Sequence, residues 1–246
     1  MSDTRKPTTQ IDDYSDVLGV EDGLPTPVVV GGQAANAWAM YYSKRIGRKL
    51  ERYRPFTSKD LDITGNRALL EHIKRITKGT ISYSPPRGPV IGYVEASLGH
   101  GIRIIEVLRD VKGLTEDELS DAIQVTVGNT VVHLLAPIKV LKAKICNLVT
   151  LDQTDRNDLK HTQIMILCVR EFILDVLANA FSGLISQRDV VNLLEELLEV
   201  LRSADATKAQ IMWKLDMSKV WPMKELASSG MQKIDRFLQY RLKPLD

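Results

Sequence analysis

The sequence has little cysteine and no long apolar run. Its two cysteines, Cys146 and Cys168, lie in stretches with a helical pattern, and so few cysteines cannot build the disulfide framework of a small secreted protein. No segment approaches the roughly 18 uncharged apolar residues of a transmembrane helix, and the first residues lack the apolar core of a signal peptide. We therefore expect a soluble, cytoplasmic protein without a membrane span.

Neither sign of charge dominates the sequence. The chain carries 33 Lys and Arg against 31 Asp and Glu, a formal charge of +2, so its bulk charge does not favour nucleic acid as a partner. Its 44% apolar and 26% charged residues exclude a disordered, collagenous or coiled-coil chain. Any functional signal must therefore come from local clusters of residues.

The motifs of several common enzyme classes are also missing. The sequence contains no G-x-S-x-G elbow and no G-x-x-x-x-G-K-[ST] phosphate loop. Its four histidines are scattered, and no H-E-x-x-H or C-x-x-C spacing indicates a zinc site. Residues 28–35 (VVVGGQAA) could open a dinucleotide-binding βαβ unit, but the full G-x-G-x-x-G pattern is absent and hairpins follow instead of repeated βαβ units.

Hydrophobic periodicity divides the chain near residue 136. Residues 1–26 are polar and have no sustained period, which predicts a loosely packed lead-in. Residues 27–136 mix strand and helix patterns, whereas residues 137–246 are helical in period, so we predict an α+β fold with an all-helical C-terminal region. The predicted strands and hairpins cover 27–30, 60–64, 90–97, 102–108 and 125–135, with a turn at 99–101, and the predicted helices cover 33–49, 67–77, 137–149, 161–182, 189–201 and 228–242.

Two patterns in the first half predict a site for phosphate and metal. A strand runs into Gly31, Gly32 and a helix, an arrangement that lets a phosphate approach the backbone and the first N–H groups of the helix. Asp60 and Asp62 stand at positions i and i+2 of one strand, so their carboxylates point to the same face. Because two such carboxylates repel each other, we expect a divalent cation between them; Mg²⁺ commonly takes one or two protein carboxylates together with phosphate and water.

A third carboxylate is expected on a later strand. Glu106 lies in the apolar run IRIIEVL at 102–108 and could activate an attacking hydroxyl if its strand neighbours Asp60 and Asp62. Glu95 or Asp110 could play the same part, and the sequence does not choose among the three.

Five blocks of the sequence together resemble the nucleotidyltransferase superfamily, and more narrowly the AbiEii-type nucleotidyltransferase toxins of type IV toxin-antitoxin systems. The blocks are GGQAANAW at 31–38, TSKDLDI at 57–63, IIEVL at 104–108, LLAPIKVLKAKICNL at 134–148 and DRNDLKH at 155–161. The resemblance implies a nucleotidyltransferase-like mixed sheet with flanking helices over residues 27–136, followed by a helical domain over 137–246.

The resemblance also implies a role for individual residues. In such enzymes the glycine turn contacts the triphosphate, two aspartates hold metal, a third acid acts as base and a lysine on a following helix contacts phosphate, before a later aspartate completes the site. Carried over by position, the catalytic residues are Asp60, Asp62, Glu106, Lys144 and Asp158, the metal ligands are Asp60, Asp62 and Glu106, and the nucleotide-binding residues are Gly31, Gly32, Ser58 and Lys144.

The implied activity is Mg²⁺- or Mn²⁺-dependent transfer of a nucleoside monophosphate from an NTP to an acceptor hydroxyl. The implied acceptor is RNA, such as a tRNA end, and the implied biology is that of a toxin neutralised by a cognate antitoxin protein. Two alternatives stay open: a nucleotidyltransferase that modifies a small, antibiotic-type molecule, and an inactive RNA- or protein-binding module of the same fold.

Some residues depart from the family pattern or have a simpler explanation. Gly32 stands where many members have serine, and residues 157–161 have the sequence Asn-Asp-Leu-Lys-His where members often have Lys-Asp-x-x-Asp. An isolated D-x-D is often a solvated strand face. Lys144 could face solvent, and Asp158 could simply cap the helix that follows it.

The segment between residues 44 and 59 is basic, whereas the chain as a whole is nearly neutral. The segment contains seven basic residues and a single acid, Glu51. Basic residues can bind a nucleic-acid backbone, and interleaved aromatic residues can stack on bases, although a charged, solvated helix end is the simpler alternative. The basic residues are Lys44, Arg45, Arg48, Lys49, Arg52, Arg54 and Lys59, and the aromatic residues are Tyr41, Tyr42, Tyr53 and Phe56.

Overall fold

The computed structural model describes residues 9–19, 23–98 and 101–242. The chain divides into two compact units, which we call unit 1 (residues 1–165) and unit 2 (residues 166–246). Unit 1 contains a mixed sheet with helices, and unit 2 is helical. The protein therefore belongs to the α+β class, as predicted.

Seven strands form one mixed sheet in the described part of unit 1. They are β1 (Val28–Val29), β2 (Asp60–Thr64), β3 (Thr80–Tyr83), β4 (Val90–Leu98), β5 (Gly101–Leu108), β6 (Ala122–Val127) and β7 (Thr130–Leu135). Their spatial order is β3-β4-β5-β2-β1-β7-β6. The pairs β2–β5 and β1–β7 are parallel, and the other pairs are antiparallel. β2 therefore lies inside the sheet, between β5 and β1.

The alternation of side chains along β2 explains its place in the sheet. Leu61 and Ile63 are fully buried on one face. Asp60 and Asp62 alternate with them, are only half-buried, and point to the other face. A central strand thus places two carboxylates side by side.

Two long helices of unit 1 pack near this strand. The helices that begin in unit 1 are α1 (Ser15–Leu18), α2 (Gly31–Ile46), α3 (Arg48–Glu51), α4 (Arg67–Thr77), α5 (Glu116–Leu119), α6 (Pro137–Thr150) and α7 (Asp158–Phe181). α2 contacts β2 and α6, and its buried Trp38 donates a hydrogen bond from Nε1 to the carbonyl of Leu135 at 3.0 Å. This bond ties α2 to the end of β7.

Unit 2 consists of the rest of α7 and further amphipathic helices. They are α8 (Gln187–Arg202), α9 (Ala204–Trp213), α10 (Met223–Ala227) and α11 (Gln232–Tyr240). A capping box between Ser186 and Asp189 begins α8, and α8 contacts both α9 and α11. No helix in the described ranges is both long and apolar enough to cross a membrane.

Several predicted elements are confirmed. β2 and α4 have the predicted bounds, and both predicted hairpins are present as β4–β5 and β6–β7. Two residues of the predicted turn, 99 and 100, lie outside the described residues. One strand and several helices were not predicted: β3 and the helices over 15–18, 116–119, 204–213 and 223–227. All but the helix over 204–213 have at most five residues, too few for a clear periodic pattern.

The expected domain organisation differs from the structure in two places. The predicted lead-in, where it is described, is packed: Ile11, Tyr14, Val17 and Leu18 are buried, and Thr9 forms backbone hydrogen bonds with Ser58. The compact units divide after residue 165 rather than near 136. The reason is that α6, predicted to open the helical domain, packs against α2.

Candidate active site

A cavity in unit 1 brings together residues from all five sequence blocks. Its volume is about 480 Å³. Every residue predicted to bind nucleotide or metal or to act in catalysis lines it: Gly31, Gly32, Ser58, Asp60, Asp62, Glu106, Lys144 and Asp158. These residues belong to α2, β2, β5, α6 and α7 and to the segment before β2, so the fold, and not proximity in sequence, creates the cluster.

The register of the sheet brings the acidic residues together. In the parallel pairing of β2 with β5, Asp62 lies opposite Glu106, and Asp60 lies opposite Ile104. Glu106 therefore shares a face with both aspartates. Of the alternative third acids, Asp110 lines the cavity beyond the end of β5, whereas Glu95 does not line it.

The carboxylate of Asp62 lies in an unfavourable electrostatic environment. Burial raises its pKa to about 7, and the charges of Asp60 and Glu106 act in the same direction. Lys144 and Arg156 oppose this rise. The ionised form of Asp62 is therefore destabilised, as expected for carboxylates that lack a compensating cation.

The glycine turn lies directly against this carboxylate. Gly31 has a φ of +64°, and a Cβ built on it would lie 1.9 Å from Oδ2 of Asp62. The backbone N–H of Val30 also donates to the carbonyl of Asp62 at 2.9 Å. Both the backbone conformation and the lack of space require glycine at position 31.

The second glycine is closely packed against two polar side chains. A Cβ on Gly32 would lie 2.9 Å from Oγ of Ser58 and 3.0 Å from Cε1 of His161. Ser58 Oγ donates a hydrogen bond to Oδ1 of Asp60 at 3.3 Å. The hydroxyl of Ser58 therefore connects the glycine turn with the aspartate strand.

A buried ion-pair network forms another part of the cavity wall. Nζ of Lys144 donates to Oδ1 of Asp158 at 2.9 Å, and Nε of Arg156 donates to Oδ2 at 2.5 Å. Burial alone would raise the pKa of Asp158, but Lys144 and Arg156 hold it below its usual value. Because both oxygens of Asp158 bind cations, the carboxylate positions Lys144 and Arg156 at the cavity.

The other two lysines of α6 have different surroundings. Lys142 Nζ lies 2.7 Å from Oε1 of Glu118, and Lys139 Nζ lies 3.4 Å from the same atom. Neither lysine lines the cavity. Lys144 thus differs from its neighbours in both partner and location, and it is buried instead of facing solvent.

One buried cavity residue, His161, was not among the predicted site residues. Its ring lines the cavity. In the sequence it is only one of four scattered histidines. The sequence signal that could have found it is its position one helical turn after Asp158, which places both residues on the same face of α7. Lys59, Lys112 and Arg156 also line the cavity and add positive charge.

The basic segment is exposed, but three of the four aromatic residues predicted to stack on bases are not. Tyr42, Tyr53 and Phe56 are buried, so the prediction is wrong for these three, whereas Tyr41 is 42% exposed. Guanidinium groups of the same segment cover them: Arg45 lies 4.7 Å from the ring centre of Tyr42, Arg52 4.6 Å from that of Tyr53, and Arg54 5.0 Å from that of Phe56. Lys44, Arg45, Arg48, Lys49, Arg52 and Arg54 are all exposed, and Lys59 lines the cavity.

The acidic residues do not form a preformed metal site. Within the described ranges, no group of three or more His, Cys, Asp or Glu side chains is arranged to hold a metal ion. Asp60 and Asp62 nevertheless offer two carboxylates on one face of β2. That donor set suits Mg²⁺ or Mn²⁺ bound together with substrate oxygens, since Mg²⁺ retains water and phosphate ligands in most protein sites.

Comparisons with protein-family models, curated proteins and solved structures gave no match. The interpretation of the cavity therefore depends on the residues that line it.

Proposed function

We propose that this protein is a metal-dependent nucleotidyltransferase that moves a nucleoside monophosphate from an NTP to an acceptor hydroxyl. The observation that carries the proposal is that the eight residues chosen from five separate blocks line one cavity. The resemblance of those blocks to AbiEii-type nucleotidyltransferases implies a role for each of these residues. The fold supports the assignment because it brings residues from 31 to 158 to one place.

The triphosphate would bind at the beginning of α2. Gly31 and Gly32 expose the first N–H groups of a helix of 16 residues, and such groups and the helix dipole favour anions. Lys144 and Arg156, both held by Asp158, would add positive charge from the opposite wall. These groups bind and orient the phosphates.

Asp60 and Asp62 would hold Mg²⁺ or Mn²⁺, with Glu106 as the third carboxylate nearby. The raised pKa of Asp62 supports this fit, because a divalent cation compensates the repulsion from Asp60 and Glu106. When bound, the metal would supply charge stabilisation for the leaving pyrophosphate.

In the reaction, the acceptor hydroxyl oxygen bonds to the α-phosphorus while the bond between the α-phosphorus and the bridging oxygen breaks. The carboxylate of Glu106 accepts the hydroxyl proton, and pyrophosphate leaves. Glu106 is suited to this role because its strand register places it beside Asp62. The buried Asp158 keeps Lys144 oriented during the step.

RNA is the acceptor that we favour. The exposed side chains of Lys44, Arg48 and Lys49 support it, because basic side chains can contact the phosphates of RNA. A cytoplasmic role as a toxin with a cognate antitoxin rests on the resemblance alone. A small-molecule acceptor is the alternative outcome of the experiment that follows.

The proposal is tested by incubating the protein with each α-³²P-labelled NTP, Mg²⁺ and total cellular RNA, with an aminoglycoside in a parallel reaction. We expect label in RNA with one or more NTPs, and a loss of roughly 10³-fold in the Asp62→Asn variant, since metal-bound charge stabilisation is worth several kcal/mol. Label in the aminoglycoside alone would establish the small-molecule alternative. No label in either acceptor, or equal transfer by Asp62→Asn, would refute the proposal.

A further inference from the structure

His161 is a buried polar side chain in the wall of the cavity. The residue is 5% exposed, and neither Nδ1 nor Nε2 has a hydrogen-bond partner among the described residues. Buried polar groups in native proteins almost always have a partner, because an unpaired group costs roughly 1–3 kcal/mol. A buried, unpartnered imidazole that borders a cavity therefore points to a ligand.

The ring faces the glycine turn through one edge. A Cβ on Gly32 would lie 3.0 Å from Cε1 of His161, 3.6 Å from Nδ1 of His161 and 2.9 Å from Oγ of Ser58. The backbone of Gly32 is thus closely packed against an imidazole edge and a hydroxyl, at the beginning of α2. The imidazole N–H and the first N–H groups of α2 are hydrogen-bond donors that suit a phosphate oxygen.

The imidazole is uncharged near neutral pH. Burial lowers the pKa of His161 to about 3, Lys144, Lys160 and Arg156 act in the same direction, and Asp158 opposes them. A neutral imidazole carries one N–H donor and one acceptor nitrogen. Its contact with an anion is therefore a directional hydrogen bond, whereas Lys144 and Arg156 supply the charge.

We propose that Nδ1–H of His161 donates a hydrogen bond to a phosphate oxygen of the nucleotide, in a subsite that it shares with Ser58 and the beginning of α2. A side chain at position 32 would collide with Ser58 and His161, which border this subsite. The identity of the ligand as a nucleotide rests on the proposed function. His161 is then a substrate-binding residue of the transferase that its sequence pattern did not reveal.

The test is calorimetric titration of wild-type and variant proteins with Mg²⁺-tripolyphosphate and with each Mg²⁺-NTP. His161→Leu keeps an apolar volume but removes the donor, whereas His161→Asn places an amide N–H near the position of Nδ1. We expect His161→Leu to weaken tripolyphosphate binding roughly 10- to 100-fold, as for a hydrogen bond to a charged group, and His161→Asn to stay within about threefold of wild type. His133→Asn, which lies outside the cavity, serves as the control.

Two further measurements keep the proposal testable if His161→Leu does not fold. The NMR resonance of the His161 Cε1 proton, assigned by its loss in His161→Asn, is expected to shift when tripolyphosphate is added to the wild type. Gly32→Ala is expected to weaken binding as well, because its Cβ would displace Ser58 and His161. The control is Gly19→Ala, which has no atom within 4 Å of its new Cβ and is expected to bind normally.

The outcomes separate this proposal from the proposed function. Equal tripolyphosphate affinity of wild type and His161→Leu, or a Cε1 resonance that does not move at saturation, would overturn the subsite even if nucleotide transfer occurs. A loss of affinity in His161→Leu without any transfer by the wild type would support the subsite and refute the transferase. If the wild type binds neither tripolyphosphate nor any NTP, both proposals are overturned.

Discussion

Buried polar side chains are distributed unequally between the two units. A buried polar group costs free energy unless it is paired. The concentration of buried polar side chains in unit 1 therefore indicates that they serve a purpose other than packing. In the described part of the chain, unit 1 buries Thr9, Gln33, Asn36, Arg103, Thr130, Lys139, Lys144, Asp158, His161 and Thr162, whereas unit 2 buries Ser229.

Both units have an apolar core, but unit 1 also buries charged groups. In unit 2, α8 buries Leu194, Leu197 and Leu201 on one face. In unit 1, the buried Lys144 and Asp158 pair with each other at the cavity wall. We therefore expect substitutions in the apolar cores to change stability and substitutions at the cavity of unit 1 to change binding.

The largest stability effect is expected from the core of unit 2. Leu197 is fully buried, and truncation of such a residue leaves a cavity, so Leu197→Ala is expected to lower the free energy of unfolding by roughly 2–5 kcal/mol. Urea unfolding measures the loss. The exposed Glu199 on the same helix provides the control: Glu199→Ala is expected to change stability by less than about 0.5 kcal/mol. A cost below about 1 kcal/mol at Leu197 would show that unit 2 does not depend on this packing.

Substitutions of the α6 lysines sharpen the comparison within unit 1. Lys144→Ala is expected to weaken Mg²⁺-NTP binding roughly 10- to 100-fold, since a charge-assisted contact is lost. Lys142, which pairs with Glu118 outside the cavity, is expected to tolerate alanine with less than about a threefold change. Titration calorimetry of both variants measures their affinities for Mg²⁺-NTP. Comparable losses at the two positions would mean that α6 is a generic basic helix.

The pH dependence of stability tests the electrostatics of Asp62. Its pKa in the folded protein is raised from 3.8 to about 7, so the contribution of Asp62 to stability falls as the pH rises from about 4 to about 7, by at most about 1.4 kcal/mol per pH unit. Asp62→Asn cannot ionise and is expected to become progressively more stable than wild type over this range. The measurement is urea unfolding at pH 4.5, 6 and 7.5. A difference that is constant or shrinks with rising pH would contradict the raised pKa.

The smallest expected effect concerns the basic segment. Neutralising Arg48, Lys49 and Arg52 together is expected to reduce the slope of log affinity for single-stranded RNA against log salt by roughly 2, taking about 0.7 for each phosphate contact. Binding of Mg²⁺-NTP is expected to survive, because none of the three residues lines the cavity. An unchanged salt slope would show that this segment does not bind the RNA acceptor.

Regular patterns in the sequence predicted the elements that depend on local periodicity. β2 and α4 have the predicted bounds because their alternation and helical spacing are regular and because a turn or cap ends them; Asn66, for example, caps α4 by accepting from the N–H of Leu69 at 3.0 Å. The packing of residues 9–19 and the position of α6 were not predictable in this way. They depend on contacts with residues far along the chain.

The same distinction applies to the candidate site. Strand alternation selected Asp60 and Asp62 as site residues, and the family resemblance selected Lys144. Neither could show that Asp158 binds Lys144, because the two residues are separated by the turn between α6 and α7. Nor could they show that Tyr42 is buried, because basic and aromatic residues that alternate in sequence do not reveal which side chains enter the core.

The most direct test of the account is the thermal stabilisation of unit 1 by Mg²⁺ and NTP together. A ligand that binds only the native state stabilises it, by about 2.7 kcal/mol at 100 times its Kd, which corresponds to a rise in Tm of roughly 5–10 °C for a unit of this size. The account predicts this rise for the wild type with at least one NTP, and a clearly smaller rise for the variant that combines Asp60→Ala with Asp62→Ala. Equal shifts in both proteins, or none in the wild type, would contradict the assignment of the cavity as a metal–nucleotide site.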